Sequence, residues 1–188
     1  MGPVMSLSSQ EAAASLNQVE EARRKSSQLY FYHRSSPHLI MWGVIWIVGY
    51  GGTGLFPQYS NPLWAVLVLI GTSGGVILGR YRKPDGVTSG PYAWRMAALW
   101  AIILLFVFAT YAILQPHNGR QCAAYPALIT GCVYMAIGLW RGLRYLISGM
   151  VVVTLTMIGF FYIEPIFFWF AAVGGGAMIL TGLWFRTV

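Results

Sequence analysis

Charge is what this sequence has least of. Only 9% of its 188 residues are Asp, Glu, Lys or Arg, against about a quarter in an ordinary soluble domain. So few charges cannot cover a water-facing surface, which excludes a soluble globular domain of the usual kind. The acids are Glu11, Glu20, Glu21, Asp85 and Glu164. None sits deep in an apolar run, so the intramembrane charges that mark proton or ion pathways are missing. Cysteine is scarce too. Cys122 and Cys132 share one apolar stretch, and on a helix they stand about 15 Å apart, beyond the ~7 Å reach of a disulfide. Two cysteines do not make a zinc site either, and they read as small buried apolar residues. There is no H-E-x-x-H and no G-x-S-x-G. The three histidines offer no haem pair, because His33 and His38 lie at one edge of the apolar region and His117 at the other. No catalytic residue, metal site or cofactor is expected. A cleavable leader, with basic residues followed by a short apolar run and a small-residue cleavage site, is not visible.

What the sequence has is apolar length. Hydrophobic residues make up 57% of it and aromatic residues 15%. A membrane-spanning helix needs about 20 apolar residues, and six stretches qualify: 38–56, 62–79, 93–115, 121–140, 143–163 and 166–185. The punctuation between them, such as "FPQYSNP", "QPHNGRQ" and "YIEP", carries the proline and glycine of turns. These runs are too long and continuous for barrel strands. The expected fold is all-α: a compact bundle of six transmembrane helices over 38–188, preceded by a polar tail, 1–37.

The basic residues test this count. With the tail inside, Arg23, Arg24, Lys25 and Arg34 are cytoplasmic, as are Arg80, Arg82, Lys83 and Arg95, then Arg141 and Arg144, and finally Arg186. Only Arg120 of the twelve basic residues falls on the other side. Six spans with both termini in the cytoplasm therefore satisfy the positive-inside rule of an inner (plasma) membrane. The net charge of +7 is accounted for by loop placement, and nucleic acid is not an expected partner. Arg80, Arg82, Lys83, Arg141, Arg144 and Arg186 are the candidates for interfacial or lipid-headgroup contact.

The tail is polar but organised. Ser8 and Glu11 have capping-box spacing, and Glu20–Arg24 and Glu21–Lys25 are spaced i, i+4 in the orientation that supports a helix. An amphipathic helix from about Ser8 to Tyr32, lying on the membrane or binding a cytoplasmic partner through residues 8–32, stands against a frayed, solvated leader. "SSP" at Ser35–Pro37 is expected to end it, because the residue before proline avoids helical geometry.

Inside the first apolar run lies "IVGYGGTG". Val48-Gly49-Tyr50-Gly51 resembles the TVGYG filter of potassium channels, and Gly49, Gly51 and Gly54 satisfy G-x-G-x-x-G. A filter needs a spanning helix upstream, where this chain has only the polar tail. A dinucleotide loop needs a preceding strand, where this chain has an apolar helix. Packing accounts for the residues better. Trp42, Trp46 and Tyr50 fall at i, i+4, i+8 and form an aromatic ridge. Gly71, Gly75 and Gly79 form a doubled G-x-x-x-G, and Gly138, Gly142 and Gly175 add small-residue positions to the fourth and sixth spans. Ridges fitting into such grooves define the candidate helix-packing residues.

The even-numbered spans end alike, in "GVILGRYR", "AIGLWRGLR" and "TGLWFR". Three repeated hairpins give this pattern, and so does convergence on aromatic and arginine anchors. Two function classes follow. One is a non-catalytic protein acting through partners as a regulator, sensor or accessory subunit. The other is a small oligomeric transporter, channel or apolar-ligand or lipid-binding protein. Membrane lipids, and either a second copy of the chain or another membrane protein, are the expected partners.

Overall fold

A computed structural model of the chain describes residues 9–81, 90–116 and 118–187. All regular structure among them is helical. Six helices follow in order: α1 (Ser9–Leu55), α2 (Ser60–Tyr81), α3 (Gly90–Leu114), α4 (Gly119–Arg141), α5 (Leu143–Tyr162) and α6 (Ile166–Trp184). A single 3-10 turn, Pro57–Tyr59, joins α1 to α2. The helices coincide with the expected apolar runs to within a few residues, except at the start of the first. Five of them are long and apolar enough to cross a membrane. The described apolar part of α3 is shorter, Ala101–Leu114.

The described part of the tail, from Ser9, and the first apolar run are one helix of 47 residues, with Pro37 inside it. The expected break at Ser35–Pro37 does not occur. A proline inside a helix removes one i→i−4 bond and crowds the preceding turn, a penalty that tertiary contacts here outweigh. Ser36 is fully buried, and its hydroxyl donates to the Gly182 carbonyl of α6 at 2.6 Å and accepts from Arg186 Nε at 2.9 Å. The helix is thus clamped beside its weakest turn. "IVGYGGTG" is also helical, so its glycines form neither a carbonyl filter nor a phosphate loop. Helix α1 ends only at Leu55, before Phe56 and Pro57. Ser8, the expected N-cap, and His117 lie outside the described residues.

Backbones approach closely at two helix crossings. Between α1 and α6, a Cβ added to Gly43 would stand 2.7 Å from the Gly175 carbonyl oxygen, and one added to Gly175 would stand 2.8 Å from that of Gly43. Between α4 and α5, a Cβ on Gly149 would meet the Gly131 carbonyl at 2.6 Å, and Gly138 lies directly against the Leu146 backbone. Only glycine allows approaches this tight. At Phe170–Gly175, beside the first crossing, α6 widens into a π-helical turn. Trp169, one residue before that turn, lays its ring against Gly159 of α5 and donates its indole N–H to the Leu155 carbonyl at 2.9 Å.

Candidate functional site: the two ends of the bundle

The aromatic ridge of α1 lies along the core. Trp42 fills the space above Gly71 of α2, Trp46 sits over Gly174 of α6, and Tyr50 is buried among Trp46, Trp64 and Phe170. The Tyr50 hydroxyl donates to the Ala123 carbonyl of α4 at 2.8 Å, which ties α1 to a third neighbour. Gly75 faces His38, while Gly79 has no described residue near its Cβ position and gives its carbonyl to Arg34 at 3.3 Å. The packing also runs in the opposite sense. Trp64 of α2 presses on Gly49 of α1, and Thr53 bonds both the Gly49 carbonyl and the Trp64 indole. Large and small residues therefore alternate on both partners, and Gly43, Gly49 and Gly149 on odd-numbered helices belong to the packing set. Gly43 and Gly149 are isolated glycines in apolar runs, and Gly49 opens the Gly-rich stretch of α1; none has the doubled G-x-x-x-G spacing that singles out α2.

One end of the bundle is where the polar half of α1 departs. Phe31 and Tyr32 are the first described α1 side chains that are not largely exposed. Tyr32 lies against Tyr145 of α5 and Phe185 after α6, with ring centroids 5.8 and 4.7 Å away, and Phe31 meets Tyr145 edge-on at 6.0 Å. The α4–α5 turn makes room for this. Gly142 has φ 131°, a conformation that suits glycine, and a Cβ there would collide with the Tyr32 hydroxyl. Arginines flank the rings. Arg141 lies over Phe31 at 4.4 Å, and Arg144 lies over Trp184 at 4.7 Å and Tyr32 at 5.7 Å. Arg144 Nη1 also donates to the Trp184 carbonyl and the Thr187 hydroxyl, fastening the end of the chain. Of the other headgroup candidates, Arg186 bonds Ser36, Arg80 is placed by its backbone in the last turn of α2, and Arg82 and Lys83 lie outside the described residues.

The other end explains the exceptional cation. Arg120, in the first turn of α4, pairs with Glu164 in the α5–α6 turn and donates to the Phe160 and Ile163 carbonyls at the end of α5. It thereby satisfies acceptors that a helix C-terminus leaves open. No protein-family model, curated protein or solved structure matches this chain.

Two clefts lie along α3 and α4. One, of about 440 Å³, is lined only by Ile102, Ile103, Phe106, Leu128, Ile129, Cys132 and Val133. The other, of about 320 Å³, includes Thr110, Tyr111, Gln121 and Tyr125. Cys132 is exposed on this face rather than buried, and both cysteines are free. Ser73, Thr110 and Thr156 bond the backbone of their own helices. Every buried side-chain nitrogen and oxygen among the described residues has a partner.

Proposed function

We propose that this is a six-span inner-membrane protein with both chain ends in the cytoplasm, acting through a partner as a regulator, sensor or accessory subunit. The observation that carries this reading is the continuity of α1. Its second half is locked into the bundle by Ser36, Gly43, Trp46 and Tyr50, while residues 14–30 are exposed throughout. Those seventeen residues extend about 25 Å of helix. Leu16, Val19 and Tyr30 lie toward one side of it and are 67%, 64% and 49% exposed. A helix held out from the bundle, with an apolar stripe that the described residues leave largely uncovered, has the form of a docking arm. The segregation of basic residues supports the orientation, and the apolar runs support a sixth span through α3.

The test is deletion of residues 1–30, which spares Phe31 and Tyr32. The full-length and shortened proteins are purified gently and their associated proteins compared. A defined partner lost on deletion, with the bundle still folded, is the expected result. An unchanged set of associated proteins overturns the reading.

The α3–α4 cleft favours a second reading, in which the protein binds an apolar ligand or lipid or forms a small transport oligomer. Its wholly apolar lining matches an acyl chain. Bound lipid that disappears on filling the cleft with Val133→Trp is the result that reading requires.

A further inference from the structure

The two ends of the bundle treat arginine differently. Arg120 has a carboxylate, Glu164. Among the described residues, Arg141, Arg144 and Arg186 have none: the other ion pair is Lys25–Glu21, on the exposed part of α1. Arg141 makes no hydrogen bond to the described chain, and its guanidinium carbon lies 4.4 Å from the centre of the Phe31 ring. Arg144 commits Nη1 and leaves Nε and Nη2. Stacking on an aromatic ring occupies the face of a guanidinium and leaves its N–H edge open to accept a planar or tetrahedral oxyanion. The two arginines bracket Gly142, whose conformation fixes the turn between them.

The neighbours set the depth of this pair. Leu139, Trp140 and Leu143 are 71%, 78% and 65% exposed on the outer surface of the α4–α5 turn. Exposed apolar residues immediately beside open guanidiniums are the pattern of the boundary between acyl chains and headgroups.

We infer that Arg141 and Arg144 form a binding site for the phosphate of an anionic lipid, with Phe31, Tyr32 and Trp184 as the platform that holds them. This deepens the proposed function, because the site adjoins Phe31 and Tyr32, where the docking arm enters the bundle. It rests on the membrane reading but not on the arm having a partner. A phosphomonoester headgroup fits better than a diester, since it offers more charge and more oxygens to two forked donors.

The test uses the full-length chain in nanodiscs of phosphatidylcholine containing a minor fraction of phosphatidic acid, with retained lipid read by native mass spectrometry after gentle release. Wild type should retain phosphatidic acid over phosphatidylcholine. Arg141→Gln should lower that retention by about tenfold, the loss of one charge-assisted contact. Arg141→Lys, which keeps the charge and loses the fork, should also fall below wild type. Arg23→Gln/Arg24→Gln removes charge from the exposed arm and should retain lipid as wild type does. An equal drop in this control, or no enrichment in wild type, overturns the site. Displacement by millimolar inorganic phosphate without any lipid preference would reassign it to a soluble phosphate and also overturn the lipid assignment. The melting temperature of each variant separates lost binding from lost fold. Failure of the arm's partner experiment leaves these outcomes untouched.

Discussion

Helix α1 is two helices in one. From Tyr32 to Thr53 nearly every turn presents a side chain to the core: Tyr32, Leu39, Trp46, Tyr50 and Thr53 are all buried. From residue 14 to residue 30 every side chain is exposed, Leu29 least of the large apolar ones at 37%. The backbone crosses from one regime to the other without a break. What differs is what stabilises each half. The buried half is fixed by close backbone approach and aromatic fill, so it tolerates Pro37. The exposed half depends on local terms, namely good helix formers and the i, i+4 pair Glu21–Lys25, each worth only tenths of a kcal/mol. A rigid base carrying a marginal arm suits an arm that is finally ordered by what it binds.

The sharpest way to break this comparison is at the crossing. Gly43→Leu forces a side chain into the Gly175 carbonyl and Ile179. We expect a loss of about 3 kcal/mol, the upper part of the range for overpacked cores, seen as reduced stability in detergent. A variant as stable as wild type would mean that α1 and α6 are not held at this point. Next comes the seat of Tyr32. Gly142→Ala adds both backbone strain and a clash with the Tyr32 hydroxyl, for a loss of about 2 kcal/mol. It should also free the base of the arm, read as faster amide exchange at residues 28–34. Exchange confined to the α4–α5 turn would separate the turn from α1. On the arm itself, Leu16→Ser/Val19→Ser should change bundle stability by less than about 0.5 kcal/mol while abolishing partner binding. A stability loss approaching that of Gly43→Leu would mean that the chain itself covers this stripe, and that the arm is not free.

Much of this architecture is legible in the sequence, because apolar run length and proline-rich punctuation act at the scale of whole helices. The runs at 121–140 and 143–163 match α4 and α5 almost residue for residue. Pro37 misleads because a local backbone rule says nothing of a clamp supplied by Gly182 and Arg186, about 150 residues away. Gly43 and Gly149 stand out only when their opposing helices are known, since a lone glycine has no periodicity to reveal its partner. Gly71 is prominent in sequence and does sit under Trp42. Gly79 is equally prominent, yet none of the described residues stands within 4 Å of its Cβ position. Arg120 is an exception to charge segregation until the carbonyls of Phe160 and Ile163 are brought to it by the fold. Sequence spacing thus reveals which surfaces are small or large, and the fold decides which of them meet.

The smallest expected effect concerns the Glu21–Lys25 pair, on the polar part of α1 before the apolar span. The carboxylate and ammonium are 2.8 Å apart and both largely exposed. The hydrogen bond to Lys25, and then its charge, hold the Glu21 carboxyl below its ordinary value of 4.5. The same contact raises Lys25 above 10.5. A depressed acid contributes to helix stability above its unfolded value and loses that contribution as pH falls through the folded one. A raised amine contributes below its unfolded value and loses its share as pH rises through the folded one. The pair therefore supports the arm across neutral pH and fails toward both extremes. Glu21→Gln should slightly speed amide exchange in residues 14–30 at pH 7, after correction for intrinsic rates, and the difference should shrink as pH falls through the lowered value of the Glu21 carboxyl. Residues 39–53 should not respond at any pH in this range, because packing rather than charge holds them. A response there would mean that the two halves of α1 share their stability after all.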